Sequence, residues 1–508
     1  MANLLFDTLF HRQPNDANCL ILADDSTISY GDLLTETARV ANALIALGVQ
    51  PGDRIAAQID KSIAAVALYL GTVRAGGVFL PLNTAYTANE IEYFINDASP
   101  AVFICRSQSA AELEAVARAA GARLETLGAD GKSGSWAEKV NLAGIEFSTA
   151  TRNADDLAAI LYTSGTTGRS KGAMISHQNL ASNAKSLVQC WQLSADDTLL
   201  HALPIFHTHG LFVAINSMMI ASGSMLFLAS FDARQVLQQL GKCSVMMGVP
   251  TFYTRLLLLP EFNKNSVDHM RLFISGSAPM TIETHKAFTE RTGHIILERY
   301  GMTETNMNTS NPCDGERIAG SVGLPLPRVE LRITDVETSE PIELPQGKVG
   351  MIEVRGENVF KGYWKMPEKT AEEIRSDGFF ITGDLGMIDK QGYVYIVGRN
   401  KDLIISGGFN VYPKEIEILI DKLEGVIESA VIGLAHADFG EGVVAVVVVD
   451  KGVSIDEQSV MASLSGKLAK YKMPKRVFFV EELPRNAMGK VQKNVLREDY
   501  FGVFSGQV

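Results

Sequence analysis

Over the first two hundred residues, short apolar runs alternate with amphipathic stretches, and this alternation constrains the fold more than any other feature of the sequence. Ser29-Tyr30-Gly31-Asp32 has the form of a capping box. Behind it Leu33, Leu34, Val40, Ala41, Leu44 and Ile45 recur at helical spacing; Gly48 ends the helix and Pro51-Gly52-Asp53 turns into the apolar run 54–57. Units of the same kind recur over 63–105 and 110–150. Strands that alternate with helices run parallel, because each helix returns the chain to the same end of the sheet. From 313 to 400 the texture changes to short alternating segments such as 329–334, 350–354 and 392–397, which predict β-rich structure. A helix is predicted over 413–423 and an apolar strand over 443–449. The expected fold class is α/β: a large N-terminal domain over 1–400 with mixed and parallel sheets and helices, including a β-rich subdomain at 313–400, and a small α+β C-terminal domain over 401–508.

Charge narrows the function classes. Against 46 Lys+Arg stand 58 Asp+Glu, a formal net charge of -12, so neither nucleic acid nor a membrane is an expected partner. Any anionic ligand must be held by local cations and backbone amides. Cys19, Cys105, Cys190, Cys243 and Cys313 form no CxxC pair, which argues against a disulfide framework or zinc ribbon and for a reducing, cytoplasmic setting. The N-terminal MANLLFDTLFHRQ carries Asp7 and lacks a basic lead, so it does not read as a signal peptide. Residues 210–231 hold no charge and are long enough to span a bilayer. Asn216, Ser217, Ser222, Gly223 and Ser224 split them, however, and a buried helix–turn–strand is expected.

Tyr162-Thr-Ser-Gly-Thr-Thr-Gly-Arg-Ser-Lys-Gly172 directly follows the apolar run 157–161. Glycine and small hydroxyl residues leave backbone N–H groups free to surround phosphate oxygens, and Lys171 adds a cation. Gly165 and Gly168 stand too close together for a Walker A loop. Taken alone, the stretch is as readily a surface loop. Four further motifs follow it: Tyr300-Gly-Met-Thr-Glu304, Thr382-Gly-Asp384, Gly398-Arg399 and Pro484-Arg-Asn-Ala-Met-Gly-Lys490. In order and spacing the five together resemble the adenylate-forming acyl-CoA synthetases, the superfamily of firefly luciferase and of the adenylation domains of peptide synthetases. The resemblance runs from about residue 27 to 494.

The resemblance implies a two-step reaction. A carboxylate attacks the α-phosphate of ATP to give an acyl-adenylate and pyrophosphate, and the thiol of coenzyme A then displaces AMP. ATP, Mg²⁺ and coenzyme A are thereby implied. By the same analogy Thr163, Ser164, Gly165, Thr166, Thr167, Gly168 and Lys171 hold phosphates, Thr303 contacts the α-phosphate, and Glu304 binds Mg²⁺. Ser277 and Ala278 flank the adenine, Tyr300 joins the nucleotide site, and Asp384 takes the ribose hydroxyls beside Arg399. Lys490 supplies the charge for the first step. The C-terminal domain is implied to be a mobile lid that turns about Lys401, bringing Ser406, Gly407, Gly408 and Phe409 to the site to line the tunnel for coenzyme A. Acetylation of Lys490 by a protein lysine acetyltransferase would remove its charge and stop the first step.

Which acid is activated turns on Glu298-Arg299, ahead of Tyr300 and after the strand-like 293–297. Successive strand residues face opposite sides, so Arg299 is expected to share a face with Ile295 and Leu297 rather than with Glu298. An arginine among apolar neighbours needs an anionic partner, and a guanidinium suits a carboxylate held by two hydrogen bonds. A protein carboxylate or a second carboxylate on the substrate would meet that need. The latter points to a dicarboxylic acid, and 298–305 closely resembles the malonyl-CoA synthetases. Arg255 is a second candidate anchor. Within Phe206-His-Thr-His-Gly210, Thr208 and His209 are implied to line the acyl pocket with Met307, and His207 to gate the tunnel for coenzyme A. An amino-acid adenylating domain would place an aspartate where His207 stands. Two histidines without a third ligand do not make a metal site. The expected activity is ligation of malonate, or methylmalonate, to coenzyme A; the alternative acid is a small monocarboxylate such as acetate or propionate.

Overall fold

The computed structural model describes residues 2–11, 13–163, 170–336, 338, 340–407, 409–436, 438–450, 452–486 and 489–504. At the first helix, Ser29 Oγ accepts from the Asp32 N–H at 3.0 Å and the Asp32 carboxylate accepts from the Ser29 N–H at 3.0 Å. This box opens a helix over Tyr30–Ala46 that buries Leu33, Val40, Ala41 and Leu44. Ile45 is 43% exposed, because one further residue turns the side chain by roughly 100° away from Leu44.

Strands Arg123–Leu127, Val102–Arg106, Arg54–Gln58, Val78–Pro81, Leu157–Thr163 and Lys171–Ser176 form, in that order, a six-stranded sheet that is parallel except for its last pair. A nine-stranded sheet runs in the order Leu324–Pro325, Asn306–Ser310, Leu297–Met302, Leu272–Ser275, Val245–Gly248, Thr198–His201, Ser224–Phe227, Asn18–Ile21 and Thr27–Ser29. It is parallel from Leu297–Met302 through Asn18–Ile21. The two sheets share one core: Ile55, Phe79 and Leu161 of the first are buried with Leu199, Met225, Met247 and Ile274 of the second.

From Thr198–His201 the chain passes to Ser224–Phe227 on one side, then returns to Val245–Gly248 on the other. Such a reversal is a topological switch point, and ligands of open α/β sheets bind beyond the carboxyl ends of the strands that flank it. The segments that follow His201, Gly248 and Ser275 leave the sheet at that end. Between the first two strands lies the uncharged stretch, folded as a π-helical turn over His209–Ile215, a helix over Asn216–Ala221 and the strand Ser224–Phe227. Its buried Asn216 accepts from the Tyr69 hydroxyl at 3.1 Å. No helix of the described residues is long and apolar enough to cross a membrane.

A four-stranded antiparallel sheet of Val329–Thr334, Gly350–Gly356, Phe380–Ile388 and Val394–Arg399 follows. It starts at Val329 rather than at 313, since Leu324–Pro325 pairs with Asn306–Ser310 at the edge of the nine-stranded sheet. Beyond a turn at Asn400–Asp402 comes a smaller α+β unit with a five-stranded sheet. Its central strand, Gly440–Val449, is apolar from Val443 to Val449, where both faces are covered. Val443, Ala445 and Val447 pack with Ile416 of helix Pro413–Ile420 and Val460 of helix Glu457–Leu464, while Val444, Val446 and Val448 pack with Leu496 and Phe504. The helix predicted to reach Leu423 ends at Ile420, and the strand predicted from Val443 begins at Gly440. The whole is an α/β chain with a large N-terminal domain and a smaller C-terminal one.

Candidate active site

Arg299 lies in the strand Leu297–Met302 with 3% of its surface exposed. Its guanidinium crosses the backbone of Gly276, where a β-carbon would stand 2.4 Å from Cζ. Nε and Nη2 are buried without a hydrogen-bond partner, and no protein carboxylate pairs with the group among the described residues. Burial pushes the guanidinium down to about 9, against a small opposing pull from Tyr253, so it remains a cation at neutral pH. Ile295, expected on the same face, is 43% exposed and lies outside the strand. The preceding helix closes at Gly293 with φ +77°, and residues 294–296 only connect it to the strand.

Glu298 turns the other way and accepts from the Gly320 N–H at 3.2 Å. Burial raises its carboxyl to about 7, opposed by that N–H and by Lys414 of the C-terminal domain. A carboxyl raised above its unfolded value gives stability that is complete below pH ~4.5 and is lost as pH climbs through about 7. Asp421, raised by burial to about 7, titrates in the same window. Glu298→Gln should therefore shrink the fall in stability between pH 5 and pH 8 by up to ~3 kcal/mol relative to wild type, read from denaturant midpoints. An unchanged pH profile would place an ionised Glu298 in the folded protein.

The segment after His201 brings His209 into electrostatic reach of Arg299. Thr208 and His209 are buried, and Nε2 of His207, Oγ1 of Thr208 and Nε2 of His209 have no partner among the described residues. His209 Nδ1 lies 3.2 Å from Ser277 Oγ, and Ser277 itself holds φ +71°. Burial, then the charge of Lys490, lowers His207 to about 3; burial, then Arg299, keeps His209 well below the usual histidine range. Both rings are neutral at pH 7, so the positive charge acting on them comes from Arg299 and Lys490. Met307 is buried beside them, its carbonyl accepting from Asn183 Nδ2 at 2.8 Å and Asn358 Nδ2 at 3.2 Å.

A second cluster forms where Tyr300 meets the four-stranded sheet. Asp384 is paired in register with Arg399, whose Nε lies 2.7 Å from Oδ1, while the Tyr300 hydroxyl donates to Oδ2 at 2.5 Å. Asp384 is thus a buried, ion-paired carboxylate, and its N–H donates to Thr382 Oγ1 at 3.0 Å. A third cluster joins Glu304, Tyr363, Glu373 and Lys171. Lys171 Nζ reaches Glu373 Oε1 at 3.0 Å, and the Tyr363 hydroxyl lies 2.6 Å from Glu373 and 3.0 Å from Glu304. One phenolic hydrogen serves two carboxylates, and the shorter contact is to Glu373. Glu304 is left poorly compensated, and burial raises its pKa. Thr303 occupies the turn beside it.

Lys490 joins these clusters. Gly489, before it, approaches Thr251 of the N-terminal domain, and the Lys490 N–H donates to Asn486 Oδ1 at 3.0 Å. The residue as a whole is exposed, yet protein surrounds its ammonium; that burial, then the charge of Arg399, lowers its pKa, with Asp384, Glu304 and Arg299 also in electrostatic reach. Other residues singled out in the sequence lie apart. Arg255 is exposed in the last turn of helix Pro250–Leu257, about 200° round from the buried Tyr253; the structure does not bring it to Arg299. Lys401 lies in the interdomain turn, where Asp402 pairs with Arg497 at 2.7 Å. Gly407 donates to the Phe439 carbonyl, and the 56%-exposed Phe409 stacks on Tyr471 at 4.6 Å, so this loop packs on its own domain. Ser164, Gly165, Thr166, Thr167, Gly168 and Gly408 lie outside the described residues; Thr163 ends the strand that leads to them, and Ala278 follows Ser277.

The model of the AMP-binding enzyme family matches residues 6–364, and that of the AMP-binding enzyme C-terminal domain matches 415–490. The chain belongs to the AMP-binding enzyme family. Among solved structures of AMP-binding relatives, ATP-bound MatB from Rhodopseudomonas palustris superimposes with a TM-score of 0.97 at 59% identity, over 99% of this chain and 100% of that one. A malonate–CoA ligase from Arabidopsis thaliana is 32% identical over 97% of this chain and 88% of its own length. The long-chain-fatty-acid–CoA ligase FadD13 of Mycobacterium tuberculosis is 35% identical over 94% of each. At that distance overall identity does not separate acids of different shape, so the site must.

Several site residues carried no signal in the sequence. Gly276 matters only because Arg299 lies across it, and Asn183, Asn358 and Tyr363 act across 50 or more residues of chain. Such polar side chains look like ordinary surface residues until the fold brings them inside.

Proposed function

We propose that the chain joins malonate to coenzyme A through a malonyl-adenylate, releasing pyrophosphate and then AMP. The observation that carries this reading is Arg299: a buried cation with free donors and no carboxylate partner among the described residues. Malonate carries two carboxylates. One would take the free donors of Arg299, a planar fork suited to two hydrogen bonds, and the other would be left to react. The name of the Arabidopsis relative supports the same acid, and ATP and coenzyme A as co-substrates follow from the names of the relatives.

In the first step a carboxylate oxygen attacks the α-phosphorus and the bond to pyrophosphate breaks. Both reactants are anions, so the barrier is largely charge repulsion, and preorganised cations lower it. Lys490 lies in reach of both Arg299 and the Asp384–Arg399 pair, and would neutralise charge between the two ends. Asp384 would orient the ribose, Ser277 and Ala278 would flank the base, and Thr303 and Lys171 would meet the phosphates. Glu304 fits a Mg²⁺ site, since a buried, poorly compensated carboxylate favours a hard cation. When bound, Mg²⁺ would neutralise phosphate charge. In the second step the sulfur of coenzyme A attacks the acyl carbon and AMP departs. For this step the C-terminal domain would turn about Lys401 to bring Ser406, Gly407 and Phe409 forward. Methylmalonate would be taken if its methyl group fits beside Thr208 and Met307. The five free cysteines suit a reducing cytoplasm, and acetylation of Lys490 would switch the first step off.

Release of AMP with ATP, Mg²⁺ and coenzyme A, measured across acetate, propionate, malonate, methylmalonate and succinate, tests this. Selectivity for malonate is expected. A preference for a monocarboxylate would keep the family and overturn the acid.

A further inference from the structure

Lys61 follows the strand Arg54–Gln58 of the six-stranded sheet, and it reaches across to His201, the last residue of Thr198–His201 in the nine-stranded sheet. Its Nζ lies 2.9 Å from His201 Nδ1 and donates to the His201 carbonyl at 2.8 Å, with the Phe227 ring at 4.3 Å. No carboxylate pairs with it among the described residues, and burial lowers its pKa well below the usual lysine value. A lysine in such a place is costly unless its hydrogen bonds serve something.

The other face of His201 shows what they serve. Its Nε2 lies 2.8 Å from the Gly210 carbonyl. A carbonyl can only accept, so Nε2 carries the hydrogen. His201 is fully buried and neutral, so Nδ1 bears the lone pair, and Lys61 must donate to it. The relay runs in one direction: Lys61 to His201 to Gly210. Gly210 closes the turn that carries His207, Thr208 and His209. It is folded so tightly that a β-carbon there would stand 2.0 Å from the Pro204 carbonyl oxygen. The Leu211 N–H donates back to His207 O at 3.0 Å, completing the turn. The relay therefore fixes the backbone of three residues whose side chains carry polar atoms without a partner among the described residues, and one of them, His209, lies in electrostatic reach of Arg299.

We propose that Lys61 is a positioning residue: by holding His201 in its Nε2–H tautomer it clamps Gly210, and so sets the wall of the acid pocket opposite Arg299. Lys61 also lines a cavity of about 400 Å³ together with Phe206 and Leu211, so the clamp borders both spaces. The inference rests on the reading of this turn as the wall of the acid site.

The test compares Lys61→Met, His201→Leu, the double variant and His201→Gln, with wild type assayed in parallel on malonate and propionate. Met fills the space of the lysine stem but donates nothing. Lys61→Met and His201→Leu should each raise the KM for the acid by about tenfold or more while the KM for ATP stays unchanged, because a misplaced wall harms only the group it orients. The double variant should be no worse than either single one, as befits members of one relay. His201→Gln keeps an N–H for Gly210 and should recover much of the loss. A wild-type KM for the acid in Lys61→Met, additive losses, or an equal rise in the KM for ATP would each overturn the proposal. Should Lys61→Met not fold, Lys61→Gln, which retains a donor, replaces it and is expected to lie nearer to wild type. If wild type prefers propionate, the malonate reading falls while the clamp is still judged, on propionate.

Discussion

Arg299→Met is expected to lower kcat/KM for malonate by about a hundred- to a thousandfold, the range for removing one partner of a buried charge pair. The same substitution should stabilise the ligand-free protein. Arg299 is a buried cation with two orphan donors and no carboxylate partner among the described residues; an unpaired buried charge is costly, and even a buried ion pair replaced by apolar side chains of similar volume is typically neutral or stabilising by ~1–4 kcal/mol. The unbranched methionine suits the space above Gly276, where a guanidinium now lies in van der Waals contact. Arg299→Lys should not restore malonate, since a point charge cannot reproduce two parallel hydrogen bonds. Added malonate should raise the unfolding midpoint of wild type and leave that of Arg299→Met unmoved. Activity and stability are thus predicted to move in opposite directions. A variant that loses both would mean that Arg299 holds the fold, and one that keeps malonate selectivity would mean that the acid is chosen elsewhere.

That arrangement was partly legible in the sequence. The alternation of strands with helices gave the two large sheets, because local patterns report local structure faithfully: the Ser29 box and the Gly48 stop both formed. Tyr300 and Arg399 stand at or near the ends of strands and Asp384 inside one, and these three come together with Glu304 although they are scattered over a hundred residues of chain. Ile295 was misplaced because periodicity cannot say where a strand starts, and a glycine helix cap moved that start to Leu297. Arg255 lies on the exposed side of its helix, because helical rotation turns it away from the buried Tyr253. Lys61 and His201 left no trace, since they are 140 residues apart and neither stands in a recognisable motif. What the sequence cannot display is which polar side chains the fold will bury, and those are the residues that shape this site.

Lys490→Ala should reduce malonate-dependent pyrophosphate release by about 10²–10³-fold, the usual consequence of removing one charge-stabilising donor from a transition state. Formation of malonyl-CoA from preformed malonyl-adenylate should continue near the wild-type rate, because by then no charge is developing between carboxylate and phosphate. The split follows from position. Lys490 stands on the C-terminal domain, in electrostatic reach of Arg299 at one end and of Asp384, Arg399 and Glu304 at the other, whereas Gly407 and Phe409 lie against their own domain. Lys490→Gln, which removes the charge and keeps the length, should behave like Lys490→Ala and like enzyme acetylated at that lysine. Nucleotide affinity should change little in either variant, since the Asp384–Arg399 pair and Tyr300 remain intact. Pre-steady-state pyrophosphate release, followed beside thioester formation from the synthetic adenylate, separates the outcomes. Equal loss in both half-reactions would move Lys490 from the chemistry of the first step to the closing of the two domains.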